Sequence, residues 1–376
     1  MATVAIFGAG DIGEAVLRHL ARQPEITRLL VLDIDPDRLS SLCHDASAIA
    51  AYEDRGPFIA FQTVDMRSED EIHEALTSEE EPDVIVNTAT LQSWWAITQL
   101  PTELYHRLEF GARFGPWLPL HLVPILNLMR ARRRAKLSVP VVNVAFPDAV
   151  NAVLGKLEMS PVCGAGNSEL LWAGIRLVAA QRLGVPVEDV ELRMVGHHFH
   201  VVYYWVGLEE VESLDDHPFH LRVTVDGQDL TERLGARDLL GKAGRCLPKG
   251  RTIAPRVAAS VAKNVLGLLR EDAVSAHVSG PMGLVGGYDV RLSKAGVEVV
   301  PPPGMSLEKA QEINLRSQRG DGIERIGKGG DVEFTLEAHQ TMRDVLGYDC
   351  AVLHPSEIET RADELKRRLV ELADER

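Results

Sequence analysis

Three glycines near the start of the chain have the spacing that lets a backbone approach a phosphate group. Gly8, Gly10 and Gly13 form a G-x-G-x-x-G pattern directly after a short apolar run. In such a loop the first glycine permits a tight turn, the second admits a pyrophosphate and the third lets a helix pack closely. The helix predicted from about residue 12 to 23 would direct its free N–H groups at the phosphates. We therefore expect these glycines and Ile12 to bind a dinucleotide; the alternative is a glycine-rich turn that binds nothing.

An acidic residue follows at the distance that ribose recognition requires. Asp33 ends the second apolar run, twenty residues after Gly13. Its carboxylate can accept hydrogen bonds from the adenosine ribose and would repel a 2′-phosphate, which favours NAD over NADP. Asp11 belongs to the cofactor loop as well, but its charge opposes that of the ligand. We expect its carboxylate to cap the helix and point outward.

A third apolar run, residues 83–87, ends in small residues that could contact the same ligand. Thr88 and Ala89 follow it directly. In a doubly wound sheet the ligand contacts lie at the carboxyl ends of the strands. Thr88 and Ala89 are therefore predicted to line the cofactor crevice.

Three histidines lie close together near the middle of the chain. His198 and His200 are two residues apart, next to His197. On a strand, residues two apart share a face, and an H-x-H pair can bind a metal. The sequence offers no convincing third ligand, so we predict hydrogen-bonded histidines and no metal.

The elements that must position these residues change in character along the chain. Strands and helices alternate over residues 1–150, which predicts an α/β fold with a doubly wound parallel Rossmann sheet. Residues 151–376 are predicted to form an α+β domain. In that part, a strongly apolar helix is expected over 168–183, β-rich sequence over 200–207 and a polar loop over 321–331.

One segment of the first half does not fit the alternation. Residues 91–120 contain Trp95, Trp117, Arg107 and Arg113. We interpret this segment as a loop-rich or helical cover over the cofactor edge. Its aromatic residues could pack against the body of the protein, or the segment could serve as a substrate lid.

Composition excludes several classes of partner. The chain of 376 residues has a formal net charge of −15, with 45% hydrophobic and 25% charged residues. Such an acidic chain is unsuited to nucleic acid or to an anionic membrane surface, and it has no 18-residue apolar run. Its four cysteines form no C-x-x-C pair, which favours reduced thiols. With a core strand at the start in place of a signal peptide, we expect a cytoplasmic location.

These motifs resemble those of the lactate/malate dehydrogenase superfamily, including its distant relatives, the NAD-dependent family 4 glycosidases. The resemblance covers most of the chain and comprises Gly8–Gly13, Asp33, residues 84–89, Asn143, Pro147-Asp148, Gly164–Gly166, Leu183-Gly184, Gly196–His198, residues 250–258 and residues 279–283. It implies an N-terminal Rossmann domain followed by a C-terminal domain of that superfamily's type. It also implies an NAD cofactor, a small-molecule substrate and a homodimer or homotetramer. Asn143 would lie near the nicotinamide ribose.

The same resemblance suggests catalytic residues. The superfamily signature of glycine, acid, histidine and glycine corresponds here to Gly196-His197-His198-Phe199, so His198 takes the position of the proton-transferring histidine. The family's histidine-orienting aspartate and substrate-clamping arginine correspond to Leu170 and Ala173. Glu169 could replace the aspartate if the helix were shifted. Without the arginine, a simple 2-hydroxy acid is not the expected substrate.

The function predicted from these residues is NAD-dependent oxidation and reduction. His198 would take a proton from a substrate alcohol or amine as a hydride leaves for the cofactor, a task suited to a pKa near neutral. Two alternatives stay open. One is redox-neutral lyase or hydrolase chemistry of the glycosidase kind, and the other is a non-catalytic NAD-binding protein.

Overall fold

The computed structural model describes residues 2–78 and 80–374 of the chain. Its strands are β1 Ala2–Phe7, β2 Ile26–Asp33, β3 Phe58–Thr63, β4 Val84–Asn87, β5 Val141–Asn143, β6 Cys163–Gly164, β7 Glu191–Gly196, β8 His220–Val225, β9 Gln228–Asp229, β10 Val274–Ser279, β11 Gly287–Ser293, β12 Gly296–Val299, β13 Ile323–Ile326, β14 Val332–Phe334 and β15 Val352–Leu353. Its helices are α1 Asp11–Leu20, α2 Pro36–Ala51, α3 Glu69–Ser78, α4 Thr102–Arg107, α5 Leu118–Arg134, α6 Pro147–Lys156, α7 Ser168–Leu183, α8 His198–Trp205, α9 Thr231–Leu234, α10 Ala236–Arg245, α11 Ala254–Leu268, α12 Leu307–Ser317, α13 Leu336–Leu346 and α14 Ile358–Asp374.

One large mixed sheet organises the protein. Its parallel part has the order β3-β2-β1-β4-β5-β6, and antiparallel strands then continue it as β10-β11-β7-β8-β9, with β12 beside β11. The parallel order is that of a doubly wound dinucleotide-binding sheet. The predicted fold class, α/β with a Rossmann-like sheet, is therefore confirmed. The parallel strands come from residues 2–164 and the antiparallel strands from residues 191–299, while the domain boundary at residue 150 stays a prediction.

Apolar residues cover both faces of the parallel part. The face that holds Val4 and Val86 packs with apolar residues of α1, α2 and α11, and Phe7 and Ile85 pack on the other side with those of α5, α6 and α14. Strands that are buried on both faces are read from sequence as continuous apolar runs. This is why β1, β2, β4 and β5 could be placed from the sequence.

The structure corrects the prediction of β-rich sequence over 200–207. His198 to Trp205 form helix α8, although the segment is rich in β-branched and aromatic residues. The His197 ring nitrogen Nδ1 accepts a hydrogen bond from the Phe199 N–H at 3.3 Å and caps the helix. Tyr204 packs closely on Gly241 and Gly244 of α10, where a side chain would collide with it. Tertiary packing has overridden local propensity.

The cover over residues 91–120 is helical, as one of the two interpretations proposed. It consists of a short 3₁₀ helix at Trp94–Gln99, helix α4, a π-helical turn at Leu108–Ala112 and a 3₁₀ turn that leads into α5. Among the described residues, no helix is long and apolar enough to cross a membrane.

Candidate active site

The glycine loop leaves an open cradle at the start of α1. Gly8 has a φ of +99°, and a Cβ there would lie 2.6 Å from the Ala89 nitrogen. A Cβ on Gly13 would overlap the Gly8 carbonyl oxygen, whereas a Cβ on Gly10 would have no atom within 4 Å. Gly10 therefore faces empty space, and it is also the N-cap of α1, where backbone N–H groups lack helical partners. This geometry fits the pyrophosphate of a dinucleotide.

Asp33 is held rigidly beside that cradle. Its Oδ2 accepts a hydrogen bond from the Ala9 N–H at 2.6 Å, and its Oδ1 accepts one from the Ile34 N–H at 2.8 Å. Arg38 lies at the same edge, where its Nε donates to the Ala9 carbonyl at 2.7 Å. The carboxylate is thus fixed where β2 ends. Its contact with the adenosine ribose stays a prediction.

Asp11 differs from its expected role. Gly10, not Asp11, is the N-cap of α1, so the prediction that the Asp11 carboxylate caps the helix was wrong. Its Oδ2 lies 3.3 Å from Nε of Arg251, which reaches over from the loop before α11. The pair brings the C-terminal half of the chain onto the rim of the crevice and offsets the negative charge of Asp11.

A cavity of about 430 Å³ runs from the glycine loop to His198. Its lining includes Gly10, Asp11, Ile12, Arg38, Thr88, Thr90, Trp95, Phe114, His121, residues 144–146, Asn167, His198 and Arg251. Ile12 and Thr88 line it as expected, and the Thr88 hydroxyl also donates to the Gly8 carbonyl at 2.8 Å. Ala89, which was predicted with Thr88, is not in this lining; its backbone packs against Gly8 instead. The predicted cofactor loop and the predicted proton-transferring histidine therefore lie on one cavity.

Asn143 is fully buried behind the wall of this cavity. Its Oδ1 accepts a hydrogen bond from Asn87 Nδ2 at 2.9 Å, and its Nδ2 donates to the Asn151 side chain at 2.9 Å and to the Ala145 carbonyl at 3.1 Å. The asparagine thus shapes the loop 144–146, which lines the cavity. Its predicted contact with the nicotinamide ribose stays a prediction.

His198 begins helix α8 and is anchored from two sides. Its backbone N–H donates to Oδ1 of the fully buried Asp148 at 2.9 Å, and Oδ2 of Asp148 accepts from Asn167 at 2.6 Å. Its ring nitrogen Nδ1 lies 3.0 and 3.1 Å from the two carboxylate oxygens of Asp321. Since Nδ1 faces the carboxylate, Nε2 is the nitrogen left for a ligand in the cavity.

The acid that contacts His198 is Asp321, whereas Glu169 lies at another place in the fold. The Glu169 carboxylate accepts hydrogen bonds from Ser260 at 2.6 Å and Asn264 at 3.2 Å, and it lies 2.5 Å from Nζ of Lys263. These three partners belong to α11, so Glu169 joins α7 to α11. The structure therefore corrects Glu169 as the orienting acid.

Asp321 was missed because it lies in the segment that the sequence predicts to be a polar loop. It ends a 3₁₀ turn after α12 and is only 1% exposed. It is separated from His198 by 123 positions along the chain. In the sequence, the glycines on either side of it, Gly320 and Gly322, are the local sign of a sharp turn. In the structure, Gly322 has a positive φ.

Charge within this pair decides its protonation. Burial disfavours the charged form of His198, but the adjacent Asp321 carboxylate, together with Asp148 and Glu109, outweighs burial and raises the pKa of the imidazole above its ordinary value. Burial alone would raise the pKa of Asp321, yet His198 and His197 hold it below its usual range. His198 is therefore an imidazolium over a wider pH range than a free histidine.

Aromatic rings enclose the imidazole. The rings of Phe114 and Phe146 lie 4.9 and 5.0 Å from that of His198. Phe114 also stacks on His121 at 5.3 Å, and burial lowers the pKa of His121 to about 4. Phe146 has a φ of +45°, a left-handed conformation that is costly for a non-glycine residue and is found at functional sites.

The inner end of the cavity offers no clamp for a carboxylate. Of the described residues that line it, the arginines are Arg38 and Arg251, and both lie at the glycine-loop end. Arg176, the nearest arginine to the clamp position in sequence, instead donates to the carbonyls of Val187 and Val190 at 2.8 and 2.9 Å. The site therefore differs from one built for a simple hydroxy acid.

His200 does not share a metal site with His198. The segment is helical, so residues two apart do not share a face as they would on a strand. The His200 ring forms hydrogen bonds with the backbone of His197 and His217 instead. Within residues 2–78 and 80–374, no group of three His, Cys, Asp or Glu side chains is arranged to hold a metal ion.

Comparison with known proteins supports this picture at the level of the fold. The sequence profile of the saccharopine dehydrogenase NADP-binding domain matches residues 4–100, roughly a quarter of the chain. No curated protein sequence is significantly similar to the chain.

Several solved structures to which the chain is similar are dehydrogenases. The malate dehydrogenase of Cryptosporidium parvum is 17% identical with a TM-score of 0.58, and the alignment covers 85% of this chain and 98% of that one. The Plasmodium falciparum malate dehydrogenase in complex with NADH is 15% identical with a TM-score of 0.56, covering 84% and 95%. The lactate dehydrogenase of Eimeria maxima, with NADH and oxamate, is 16% identical with a TM-score of 0.54, covering 83% and 89%. The chain thus has a dehydrogenase-like NAD(P)-binding fold.

Proposed function

We propose that this protein is an NAD-dependent oxidoreductase that transfers a hydride between the cofactor and a small hydroxy or amino substrate. The observation that carries the proposal is a single cavity with an open glycine cradle at one end and the Asp321–His198 pair at the other. When bound, the nicotinamide ring accepts a hydride from the substrate carbon or returns one to it. The residues of the chain supply binding, orientation and the proton.

His198 moves that proton through Nε2. In the direction of oxidation, neutral His198 accepts the proton of the substrate hydroxyl or amine, and in reduction the imidazolium donates it back. Asp321 is a positioning residue, because it fixes Nδ1 as the protonated nitrogen and stabilises the imidazolium. The raised pKa of His198 favours the form that reduces a carbonyl at neutral pH.

NAD is the proposed cofactor rather than NADP. The Asp33 carboxylate is held by the N–H groups of Ala9 and Ile34, so it cannot turn away from an incoming 2′-phosphate. Asp35 lies immediately beyond and accepts from the Arg38 N–H at 3.0 Å to cap α2, which adds a second carboxylate at this edge. Arg38 is the cation there, and its Nε is engaged by the Ala9 carbonyl.

The proposed substrate presents an uncharged reacting group. The surroundings of His198 are the rings of Phe114 and Phe146, with His121 behind Phe114, and the low pKa of His121 keeps that imidazole neutral. A neutral alcohol or carbonyl fits these surroundings, whereas a carboxylate at the reacting carbon would find no arginine at this end of the described lining.

The test is NADH formation from NAD with a panel of alcohols and amines. We expect the His198→Gln variant to lose about 10²–10⁴-fold in turnover. The matched control is His354→Gln, because His354 forms an exposed histidine–carboxylate pair with Asp331 at 2.6 Å. Unchanged turnover in His198→Gln, or turnover with no net NADH, would refute the proposal; the second result would favour redox-neutral chemistry.

A cytoplasmic location and a homodimer or homotetramer are also proposed, in line with the resemblance to the lactate/malate dehydrogenase superfamily. Sedimentation of the purified full chain measures the oligomeric state. A monomer over a wide concentration range would refute that part without affecting the proposed chemistry.

A further inference from the structure

A second cavity, of about 450 Å³, adjoins the one that holds His198. The two share the indole of Trp95. The second is lined by charged and aromatic side chains, among them Trp95, Tyr105, Glu109, Phe110, Trp205 and Lys249. None of these residues touches the reacting atoms in the hydride-transfer proposal, although the charge of Glu109 helps to raise the pKa of His198.

Glu109 is the unusual group in this lining. It is 4% exposed, and its Oε2 has no hydrogen-bond partner within the part of the chain that the structure describes. The carboxylate has a hydrogen bond with the Tyr105 hydroxyl, and the charges of His198, Arg113 and Lys249 act on it without a hydrogen bond to Oε2. An unpartnered oxygen of a buried carboxylate is costly, so it calls for a ligand that donates hydrogen bonds.

The walls beside Glu109 are suited to a positive charge. Trp95 and Trp205 meet edge to face with their ring centroids 6.5 Å apart, and the Trp205 Nε1 is fixed by a hydrogen bond to the Pro248 carbonyl at 2.9 Å. The chain's own ammonium group, Nζ of Lys249, lies 5.8 Å from the centroid of the Trp205 ring. Indole faces attract cations, and Lys249 shows that this one admits an ammonium.

We propose that this second cavity binds a protonated amine of the substrate, with Glu109 as its hydrogen-bonding partner and the Trp95 and Trp205 rings as its walls. The inference rests on the proposed function, because the reacting hydroxyl of the same substrate would lie at His198. The substrate class is then an alcohol that carries an amino group at a distance from the reacting carbon. Lys249 occupies the ring face in the free protein and competes with the ligand.

The charges of the cavity favour an amine over a carboxylate. An anionic ligand would have to lie beside the buried Glu109 carboxylate, with Lys249 as its partner in the lining. Glu210 also lines the cavity but is exposed, so solvent screens its charge. Burial raises the pKa of Glu109 to about 7, and a bound ammonium stabilises the ionised form.

The experiment measures binding without cofactor, by calorimetry and by tryptophan fluorescence of the full chain. The probes are straight-chain aminobutanol and aminopentanol, the matched n-alkanols and the matched ω-hydroxy acids. We expect the amino alcohols to bind about 10- to 100-fold more tightly than the n-alkanols or the ω-hydroxy acids, because a charge-assisted hydrogen bond contributes that much to affinity. Glu109→Gln should remove that preference and leave the binding of n-alkanols unchanged.

Two further variants keep the outcome decisive. Glu210→Gln is the control at an exposed acid of the same cavity, and it should change the affinities less than about threefold because solvent screens its charge. Lys249→Met should tighten amine binding by removing the competitor. If Glu109→Gln does not fold, Trp205→Leu tests the same cavity and should weaken amine binding.

Retention of the amine preference in both Glu109→Gln and Trp205→Leu would overturn the proposal. The proposal would also be overturned if the hydroxy acids bound more tightly than the amino alcohols and n-alkanols, and if Lys249→Met abolished that binding. Because no cofactor is present, these results are independent of hydride transfer. Turnover of plain alcohols without any preference for amino alcohols would leave the proposed function standing and refute the amine site.

Discussion

Asparagine at position 321 would keep the shape of the orienting side chain and remove its charge. Asp321 is buried, and its oxygens lie 3.0 and 3.1 Å from Nδ1 of His198. The asparagine amide can donate to Nδ1, which would move the ring proton to Nε2 and block acceptance of a substrate proton. Asp321→Asn therefore alters both the charge and the tautomer of His198.

The size of the effect follows from the contact. An opposite charge at this separation moves a pKa by about one to three pH units, and here its removal leaves burial dominant. The pKa of His198 should therefore fall from above 6.5 to below it. Loss of the correct tautomer should lower kcat for oxidation by about 10²–10⁴-fold.

The same pair makes stability depend on pH. The folded pKa of His198 lies above 6.5, so its contribution is full below pH 6.5 and is lost as the pH rises through the folded pKa. The folded pKa of Asp321 lies below 3.8, so its contribution is present above pH 3.8 and is lost as the pH falls through the folded pKa. The stability difference between wild type and Asp321→Asn should be largest between these values, at about 1.4–4 kcal/mol.

The assays are the pH profile of kcat/KM and urea unfolding at several pH values. The control is Asp331→Asn, which removes the carboxylate of the exposed pair with His354 and should change the free energy of unfolding by less than about 1 kcal/mol. A pH profile of Asp321→Asn that matches wild type in both inflection and height would show that Asp321 does not control the protonation of His198. An equal loss at all pH values would show that Asp321 serves packing alone.

Three further predictions concern the cavity. Gly10→Val should leave the melting temperature within a few degrees of wild type, since a Cβ there meets no atom within 4 Å. The same variant should weaken NADH binding at least about tenfold in a calorimetric titration. Tight NADH binding by this variant would show that the pyrophosphate does not lie against Gly10. Asp33→Asn should narrow the preference for NADH over NADPH, measured as the ratio of their Kd values, because it removes the charge that repels a 2′-phosphate; an unchanged ratio would count against Asp33 as the discriminator. His121→Phe should leave the inflections of the pH profile between pH 5 and pH 9 in place, because burial holds the pKa of His121 at about 4; a lost inflection would make His121 the titrating group.

Local rules explain why the cofactor half could be predicted from sequence. The apolar runs of β1, β2 and β4 are buried on both faces. The turn at Gly8 needs a positive φ, which glycine adopts without strain. Asp33 follows at a distance set by one helix and one strand. Each of these features is a short segment whose conformation its own residues determine.

The catalytic half depends on contacts that no short segment reveals. Asp321 reaches His198 from 123 positions away, through the packing of a 3₁₀ turn against α8. Glu109 is buried by a π-helical turn within the cover, a rare conformation that composition does not signal. The segment 200–207 was expected to be β-rich because its side chains favour strands. Residues 198–205 instead form helix α8, because His197 caps it and the glycines of α10 let Tyr204 pack closely.

The cofactor crevice is expected to end at His198, and the NMR signals of the histidine rings report on this contact. Assigned with the His198→Gln variant, the His198 ring should titrate above pH 6.5 in the free protein. Its signals should shift when NADH is added to saturation, whereas those of the exposed His354 ring should not. Saturation with NADH that leaves the His198 signals and their pKa unchanged would contradict the account.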